Sequence, residues 1–180
     1  MNRVLAVLAV ACALTAASAS AQEQRKDLQV FNDVAKAVNR YAYFTIFDDV
    51  TANVDGGVVT LDGRVTMPYK SDEIVKRVAR VDGVHQVINH ITVLPVSGFD
   101  DELRYRVARA IYGNSNFWNY GASANPSIHI IVEHGRVTLT GVVQSNVDRM
   151  LARSLATIPG AMSVKNELKT VQELREAPEI

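Results

Sequence analysis

Two nine-residue stretches of the sequence follow one pattern: Gly57–Val65 reads GVVTLDGRV, and Gly135–Val143 reads GRVTLTGVV. Both fit G-x-V-T-L-x-G-x-V. Apolar residues that alternate with other residues after a glycine are typical of a strand that follows a hairpin turn. The sequence therefore predicts that the same hairpin occurs twice in the chain.

The repeat continues on both sides of this motif. An alternating apolar strand precedes it in each copy, and a helix that ends in glycine, followed by another strand, comes after it. Because these segments recur in the same order and at nearly the same spacing, we interpret the chain as an internal duplication. The matched positions are Val50 and Ile128, Ala52 and Ile130, Val54 and Val132, Gly83 and Gly160, Val87 and Val164, Asn89 and Asn166, and Ile91 and Leu168.

Helices are predicted before and after each hairpin, where apolar residues recur every three or four positions. A three-stranded sheet has one face to cover, and two helices can cover it. The sequence thus predicts an α+β fold of two tandem αββαβ domains, each a three-stranded sheet with two helices on one face. The helical stripes are Val30, Val34 and Val38; Ile74, Val75, Val78 and Val81; Leu103, Val107 and Ile111; and Val147, Leu151, Leu155 and Ile158.

The repeat also sets the predicted domain boundaries. Domain one covers residues 27–94, and domain two covers residues 100–171. Residues 95–99 between them are interpreted as a linker because they contain proline and glycine. Residues 172–180 are mostly polar and have no counterpart in copy one, so we expect a flexible tail.

Residues 1–21 have the layout of a secretory signal peptide. Arg3 provides a positive start, Val4–Ala17 is almost wholly apolar, and small residues lead to a predicted cleavage site after Ala21. A membrane anchor is the alternative, but the apolar run is shorter than the ~20 residues of a transmembrane helix. Lipidation of Cys12 is a second alternative, although cleavage there leaves an unusually short apolar segment. We expect an exported protein whose leader is cleaved and which has no transmembrane span after cleavage.

The composition argues against several classes of function. The chain has 19 basic and 19 acidic residues and a formal net charge of zero, whereas a general nucleic-acid binder has a basic excess. Phosphate-loop motifs and the G-x-S-x-G nucleophile motif are absent, and no cysteine follows the leader. We expect a protein that is not an enzyme and that uses no nucleic acid, metal or cofactor. The histidines, which lack the spacing of a metal site, are His85, His90, His129 and His134.

Six glycines recur in pairs, and we interpret them as structural. A glycine follows each hairpin turn, another lies inside the second strand where a helix is expected to approach closely, and a third ends the second helix. The pairs are Gly57 and Gly135, Gly63 and Gly141, and Gly83 and Gly160.

The leader, the two αββαβ units, their shared glycine motif and the Val-x-Asn of each last strand together resemble the BON family. The resemblance covers Asp27–Val93 and Asp100–Val171. It implies a periplasmic or cell-envelope protein of a diderm bacterium. It also implies phospholipid or envelope-surface binding, a role in tolerance of osmotic and envelope stress, and no catalytic centre.

Copy two has five more residues than copy one between its first helix and its hairpin, and this insertion is aromatic. Tryptophan and tyrosine favour lipid–water interfaces, and arginines on the preceding helix would attract anionic headgroups. The alternative is that these rings pack on the core or between the copies, as a similar aromatic cluster in copy one favours. The candidate membrane-contact residues are Phe117, Trp118, Tyr120, Arg104, Arg106 and Arg109.

Two functions from different classes are consistent with these features. The first is a peripheral envelope protein that binds anionic phospholipid surfaces and supports envelope integrity or stress tolerance. The second is a protein-interaction or holdase-like module for unfolded or outer-membrane proteins, which would use exposed sheet edges and aromatic loops.

Overall fold

The computed structural model describes residues 26–123 and 126–176 of the 180-residue chain. Residues 26–39 are helical and form α1. Copy one then continues through β1 (Asp49–Asp55), β2 (Val58–Val65), α2 (Pro68–Val78) and β3 (Gln86–Val93). The predicted order of helix, strand, strand, helix, strand is confirmed. The predicted signal peptide, residues 1–21, lies outside the described residues.

Copy two repeats this order with an elaborated connection after its first helix. Its elements are α3 (Gly98–Tyr112), a 3-10 helix (Ser115–Phe117), α4 (Trp118–Gly121), β4 (Ile128–Glu133), β5 (Arg136–Val143), α5 (Asn146–Ala156), β6 (Ser163–Asn166), β7 (Lys169–Thr170) and α6 (Val171–Glu176). The 3-10 helix and α4 fall in the inserted segment, and the predicted last strand is divided into β6 and β7.

The repeated motif forms the central strand of each sheet. β2 pairs antiparallel with β1 and parallel with β3, and β5 pairs in the same way with β4 and β6. The two-residue hairpin turns are Gly56-Gly57 and His134-Gly135, and all four residues have positive φ. This conformation is typical of type I′ turns, whose twist matches that of the strands they join.

Each motif contributes one apolar row to a separate core. Val59, Leu61 and Val65 are fully buried in copy one. The same alternate positions of copy two are buried against α3 and α5. Alternation therefore places one face of each sheet against its helices, while the opposite face is mostly polar except at Ile131 of β4, which is also buried.

Gly63 and Gly141 have positive φ and lie where the first strand of each copy comes close. A Cβ atom on Gly63 would lie 2.0 Å from the carbonyl oxygen of Asp49, and one on Gly141 would lie 1.9 Å from that of Ser127. The neighbour that requires glycine is thus the backbone of the adjacent strand. The expectation of a closely approaching helix is wrong.

The two copies meet along the β1 and β4 edges of their sheets. The amide of Ile130 donates to the carbonyl of Ile46 at 2.7 Å, and Nδ1 of His129 lies 2.6 Å from the carbonyl oxygen of Asp48. Phe47 packs against the copy-two core, and its ring centroid lies 5.2 Å from that of Tyr105. The connection before β1 therefore joins the copies through both hydrogen bonds and apolar contact.

Two predicted boundaries differ from the structure. The predicted linker, residues 95–99, overlaps α3, because Ser97 accepts a hydrogen bond from the Asp100 amide as its N-cap. Part of the predicted flexible tail, residues 172–180, is helical as far as Glu176. Arg149 holds this segment by donating two hydrogen bonds to Glu173. Residues 177–180 lie outside the described residues.

Candidate functional site

The aromatic residues of the insertion have three different environments. Phe117 has an exposure of 0% and belongs to the copy-two core. Tyr120 is half-buried, with its ring centroid 5.4 Å from that of Phe117. Trp118 is 69% exposed. The short helices turn successive side chains in different directions, so the prediction that Phe117 contacts a membrane is wrong.

Tyr120 has a structural role that sequence reasoning did not identify. Its hydroxyl accepts a hydrogen bond from the Gln144 amide at 2.7 Å and donates to the Asp148 carboxylate at 2.8 Å. Burial raises the pKa of Tyr120, and the adjacent Asp148 raises it further, although the Gln144 amide opposes this change. The phenol is therefore neutral at physiological pH and attaches α4 to the start of α5.

In copy one, a carboxylate rather than a tyrosine hydroxyl attaches the segment before the hairpin to the start of the second helix. Asp48 is fully buried and accepts hydrogen bonds from the amide and hydroxyl of Thr66, at 2.8 and 2.9 Å, and from Lys70 at 2.6 Å. It also accepts from the amide and hydroxyl of Thr45. Burial acts to raise the pKa of Asp48, but these hydrogen bonds outweigh it and lower the pKa below 3.8.

The three candidate arginines are also placed differently. Arg104 is buried, and it donates to the Val132 carbonyl at 2.7 Å and pairs with Asp101. Arg106 donates to the Pro159 carbonyl at 2.8 Å. Only Arg109 is exposed, and no ion pair engages it within residues 26–123 and 126–176. The prediction that Arg104 contacts a membrane is therefore wrong, because this side chain satisfies buried backbone.

Two exposed apolar residues of α5 were not predicted. Val147 and Met150 are each 72% exposed. Val147 had been assigned to the buried stripe of its helix, but Ala152 and Ala156 are the fully buried residues of α5. Because Asp148 points inward to Tyr120, the neighbouring Val147 is rotated by about 100° around the helix and faces solvent. The sequence pattern of this first turn of α5 does not distinguish its buried positions from its exposed ones.

Four exposed residues lie on the neighbouring elements α3, α4 and α5, and we call them the Trp118 end of copy two: Arg109, Trp118, Val147 and Met150. The hydrogen bond between Tyr120 and Asp148 brings α4 to the first turn of α5. Arg109 lies one turn before the end of α3, which leads directly into the insertion. Trp118 also lines an open depression of about 400 Å³ with residues from 112 to 122.

A carboxylate on the first helix of each copy holds the hairpin turn. Asp27 accepts hydrogen bonds from the amides of Gly56 and Gly57, at 3.0 and 3.2 Å. Asp100 accepts from the amides of His134 and Gly135, at 2.9 and 2.8 Å. Asp100 also lies in the first turn of α3, where an acidic side chain suits the positive end of the helix dipole. The matching aspartate in copy one was the available sequence signal for the contact with the turn.

The described residues offer no arrangement for metal chemistry. Within 26–123 and 126–176, no three His, Cys, Asp or Glu side chains are grouped closely enough to hold a metal ion. In the same part of the chain, no helix has both the length and the apolar character that crossing a membrane requires.

Similarity to individual known proteins is limited. None of the curated proteins matches the chain. Among solved structures it is similar to CdsD, a structural protein of the Type III secretion system of Chlamydia trachomatis, with 16% identity over 82% of this chain and 95% of that one, and a TM-score of 0.29. A structure of the C-terminal domain of CdsD shows 13% identity over 76% of this chain and 94% of that one, with a TM-score of 0.28.

The family comparison covers most of the described chain. The model of the BON domain matches residues 28–95 and again residues 100–172. These segments coincide with the two structural copies, each with its helix, hairpin, helix and final strand. The chain therefore belongs to the BON domain family and carries two BON domains in tandem.

Proposed function

We propose that this protein is a non-enzymatic, peripheral protein of the periplasm that binds anionic phospholipid surfaces through the Trp118 end of copy two. In this proposal it supports envelope integrity or stress tolerance. The observation that carries the proposal is the exposure of Trp118, Val147 and Met150, together with that of Arg109, which forms no ion pair within the described part of the chain. The family to which the chain belongs adds support.

The chemistry of this surface suits a lipid–water interface. An indole ring places apolar area in the headgroup region while its N–H group remains hydrated. Burying about 100 Å² of apolar surface provides ~2.5 kcal/mol at ~25 cal/mol per Å². An arginine near an anionic surface adds ~1 kcal/mol, or about fivefold in affinity. Together these contributions give about 3.5 kcal/mol, which corresponds to weak, reversible attachment.

Co-sedimentation of residues 22–180 with lipid vesicles tests the proposal. Anionic and neutral vesicles are compared at about 0.1 M and about 1 M salt, where the Debye length falls from ~10 to ~3 Å. We expect binding to anionic vesicles that weakens at high salt. Equal binding to both vesicle types, or binding unaffected by salt, would contradict a role for anionic headgroups.

Matched variants locate the contact surface. Trp118→Ala is expected to weaken binding at least about tenfold, since it removes the largest apolar contribution. Phe99→Ala is its control because Phe99 is also an exposed aromatic residue on copy two but lies at the opposite end of α3. Arg109→Gln is expected to weaken binding about fivefold at low salt. Equal losses of vesicle binding in the Trp118 and Phe99 variants would contradict the assignment of the Trp118 end as the contact surface.

One observation favours the alternative of a protein-interaction or holdase-like module. Among the described residues, β3 pairs only with β2, so its outer edge is available to an added strand. Suppressed aggregation of a denatured outer-membrane protein, together with no vesicle binding under any condition, would favour that function over lipid binding.

A further inference from the structure

Copy one has a separate aromatic cluster, which we call the tyrosine cluster: Tyr41, Tyr43 and Tyr69. The ring centroids of Tyr41 and Tyr43 are 5.8 Å apart at an interplanar angle of 65°, and those of Tyr43 and Tyr69 are 6.3 Å apart at 89°. Tyr43 is 63% exposed and Tyr69 is 53% exposed. Two nearly perpendicular rings thus remain open to solvent although each is held in place by edge-to-face contact.

The tyrosine cluster borders a cavity of about 370 Å³ whose remaining lining is charged. Asp72 and Glu73 contribute negative charge, while Lys76 and Arg77 contribute positive charge. Glu73 pairs with Arg77 at 3.1 Å. Asp72 and Lys76 are exposed and form no ion pair within the described residues. One acidic and one basic side chain at the rim are therefore free to interact with a ligand.

One ring of the cluster already holds a cation. The guanidinium carbon of Arg77 lies 4.8 Å from the centroid of the Tyr41 ring, within the range of a cation–π interaction. Arg77 covers Tyr41, which is buried, whereas no cation of residues 26–123 or 126–176 lies over Tyr43 or Tyr69. The electrostatic environment of this cluster therefore accepts positive charge, and two rings are left to receive it.

The fold itself does not require this arrangement. The helices α2 and α5 have equal length, so Tyr69 corresponds to Val147 and Asp72 corresponds to Met150. Glu73 and Arg77 correspond to leucines of α5. Copy two thus forms the same helix on the same type of sheet with apolar residues at these positions. The combination of tyrosines and free charges in copy one calls for an explanation other than stability.

We propose that the tyrosine cluster binds a small zwitterion that carries a quaternary ammonium group. The trimethylammonium cation contacts the faces of Tyr43 and Tyr69, and Asp72 adds attraction. The anionic part of the ligand contacts Lys76. Quaternary ammonium groups suit aromatic sites because they are large, weakly hydrated cations that form no hydrogen bonds. A phosphocholine headgroup of a lipid and a free solute such as glycine betaine share this chemistry.

An NMR titration tests binding directly. Phosphocholine and glycine betaine are added separately to residues 22–180, and the tyrosine ring resonances are followed. We expect saturable shifts at Tyr43 and Tyr69 with a dissociation constant on the order of 1 mM. The neutral compound 3,3-dimethylbutanol is expected to bind at least about fivefold more weakly than choline, its cationic isostere, because it lacks the charge that the rings attract. Equal binding of 3,3-dimethylbutanol and choline, or no saturable shift with either zwitterion, would overturn the proposal.

Variants separate ring contact from folding. Tyr69→Val introduces the residue that copy two has at this place, so the fold is retained, and we expect at least about fivefold weaker binding. Tyr69→Phe keeps the ring and is expected to bind within about twofold of the native protein. Trp118→Ala should leave the titration unchanged, which distinguishes this site from the Trp118 end. Full binding by Tyr69→Val would contradict the proposed site.

Neutral phosphatidylcholine vesicles then distinguish the two sources of the ligand. Binding to these vesicles that Tyr69→Val reduces would identify the lipid headgroup as the ligand. Binding of free glycine betaine without vesicle binding would identify a soluble zwitterion, and either outcome supports the site.

Discussion

Lys70 and Asp48 form a buried ion pair with exposures of 6% and 0% for their side chains, and the two atoms that pair are 2.6 Å apart. Removing one partner of such a pair leaves an uncompensated charge in the interior. We therefore expect Lys70→Met to lower the free energy of unfolding by about 3–5 kcal/mol at pH 7. Lys36→Met is the control, because its pair with Asp33 is exposed and worth less than ~1 kcal/mol.

The pH dependence of stability checks the same pair. The lowered pKa of Asp48 means that its contribution is present above pH 3.8 and is lost as the pH falls through the lowered pKa. Without Lys70 the pKa of Asp48 rises, so the deficit of Lys70→Met should shrink as acid protonates the carboxylate. Urea unfolding between pH 7 and pH 3 measures this difference. A deficit that stays constant over this range would contradict the assigned role of Asp48.

Gly63 shows how a single residue fixes the geometry of a hairpin. Gly63→Ala would place a methyl group against the Asp49 carbonyl and would strain a backbone with φ of 146°. We expect a loss of about 3 kcal/mol or more in unfolding free energy. Gly98→Ala, where an added Cβ has nothing within 4 Å, is expected to be neutral or slightly stabilising. Similar unfolding midpoints for the two variants would refute this explanation.

At the residue scale, sequence reasoning identified the pattern but not the partners. The glycines were correctly interpreted as structural, yet Gly63 faces a strand rather than a helix. Phe117 lies among Asn, Ser and Gly, which favour exposed loops, but a 3-10 turn directs it into the core. The Asp48–Lys70 pair joins residues distant in sequence, and copy two has Pro126 and Asp148 at the matching positions, so repetition could not reveal the ion pair.

At the scale of whole elements, hydrogen bonds to an aspartate join the first helix of each copy to its hairpin turn. Asp100→Ala would leave the amides of His134 and Gly135 without acceptors, and such losses cost about 1–3 kcal/mol when the group is buried. The matching change Asp27→Ala should cost less, because its amide partners are more exposed. Hydrogen exchange at the two turns measures both effects. A larger increase in exchange at the first turn on Asp27→Ala than at the second turn on Asp100→Ala would contradict this order.

Helices and strands were predicted well where the apolar periodicity of the sequence was strong. They were predicted poorly where tertiary contacts determine the local structure. The strands around the repeated motif and the four main helices follow from alternation and from the helical stripes. The helix α6 was not predicted, because its anchor is the ion pair between Arg149 and Glu173 rather than an apolar stripe. The amide of Thr170 and the Arg149 side chain together lower the pKa of Glu173.

We expect the junction between the copies to make the molecule one cooperative unit with a single calorimetric unfolding transition. Phe47→Ala would remove an apolar contact of copy one with the copy-two core, and we expect the single calorimetric transition to separate into two. The loss in stability should be about 1–3 kcal/mol, since the ring is only half-buried. Phe31→Ala, an exposed position on α1, is the control. A single transition in both variants would show that Phe47 does not couple the copies.

At the scale of the whole molecule, the duplication and its fold class could be read from the sequence, but the arrangement of the two copies could not. The contact between the β1 and β4 edges depends on Ile46 and His129, which no repeat or motif distinguishes. For the same reason the Trp118 end could be predicted only in part. Trp118 and Arg109 were candidates, whereas Val147 and Met150 became visible only once α5 was placed.

Trp118 is the only tryptophan of the chain, so its fluorescence reports directly on the central claim that this end of copy two contacts the membrane. Titration of residues 22–180 with anionic vesicles should shift the emission to shorter wavelength and protect the indole from aqueous quenchers, because the ring enters the headgroup region. Lipids with brominated acyl chains should quench it. Vesicle binding that leaves both the emission and the quencher access of Trp118 unchanged would contradict the claim.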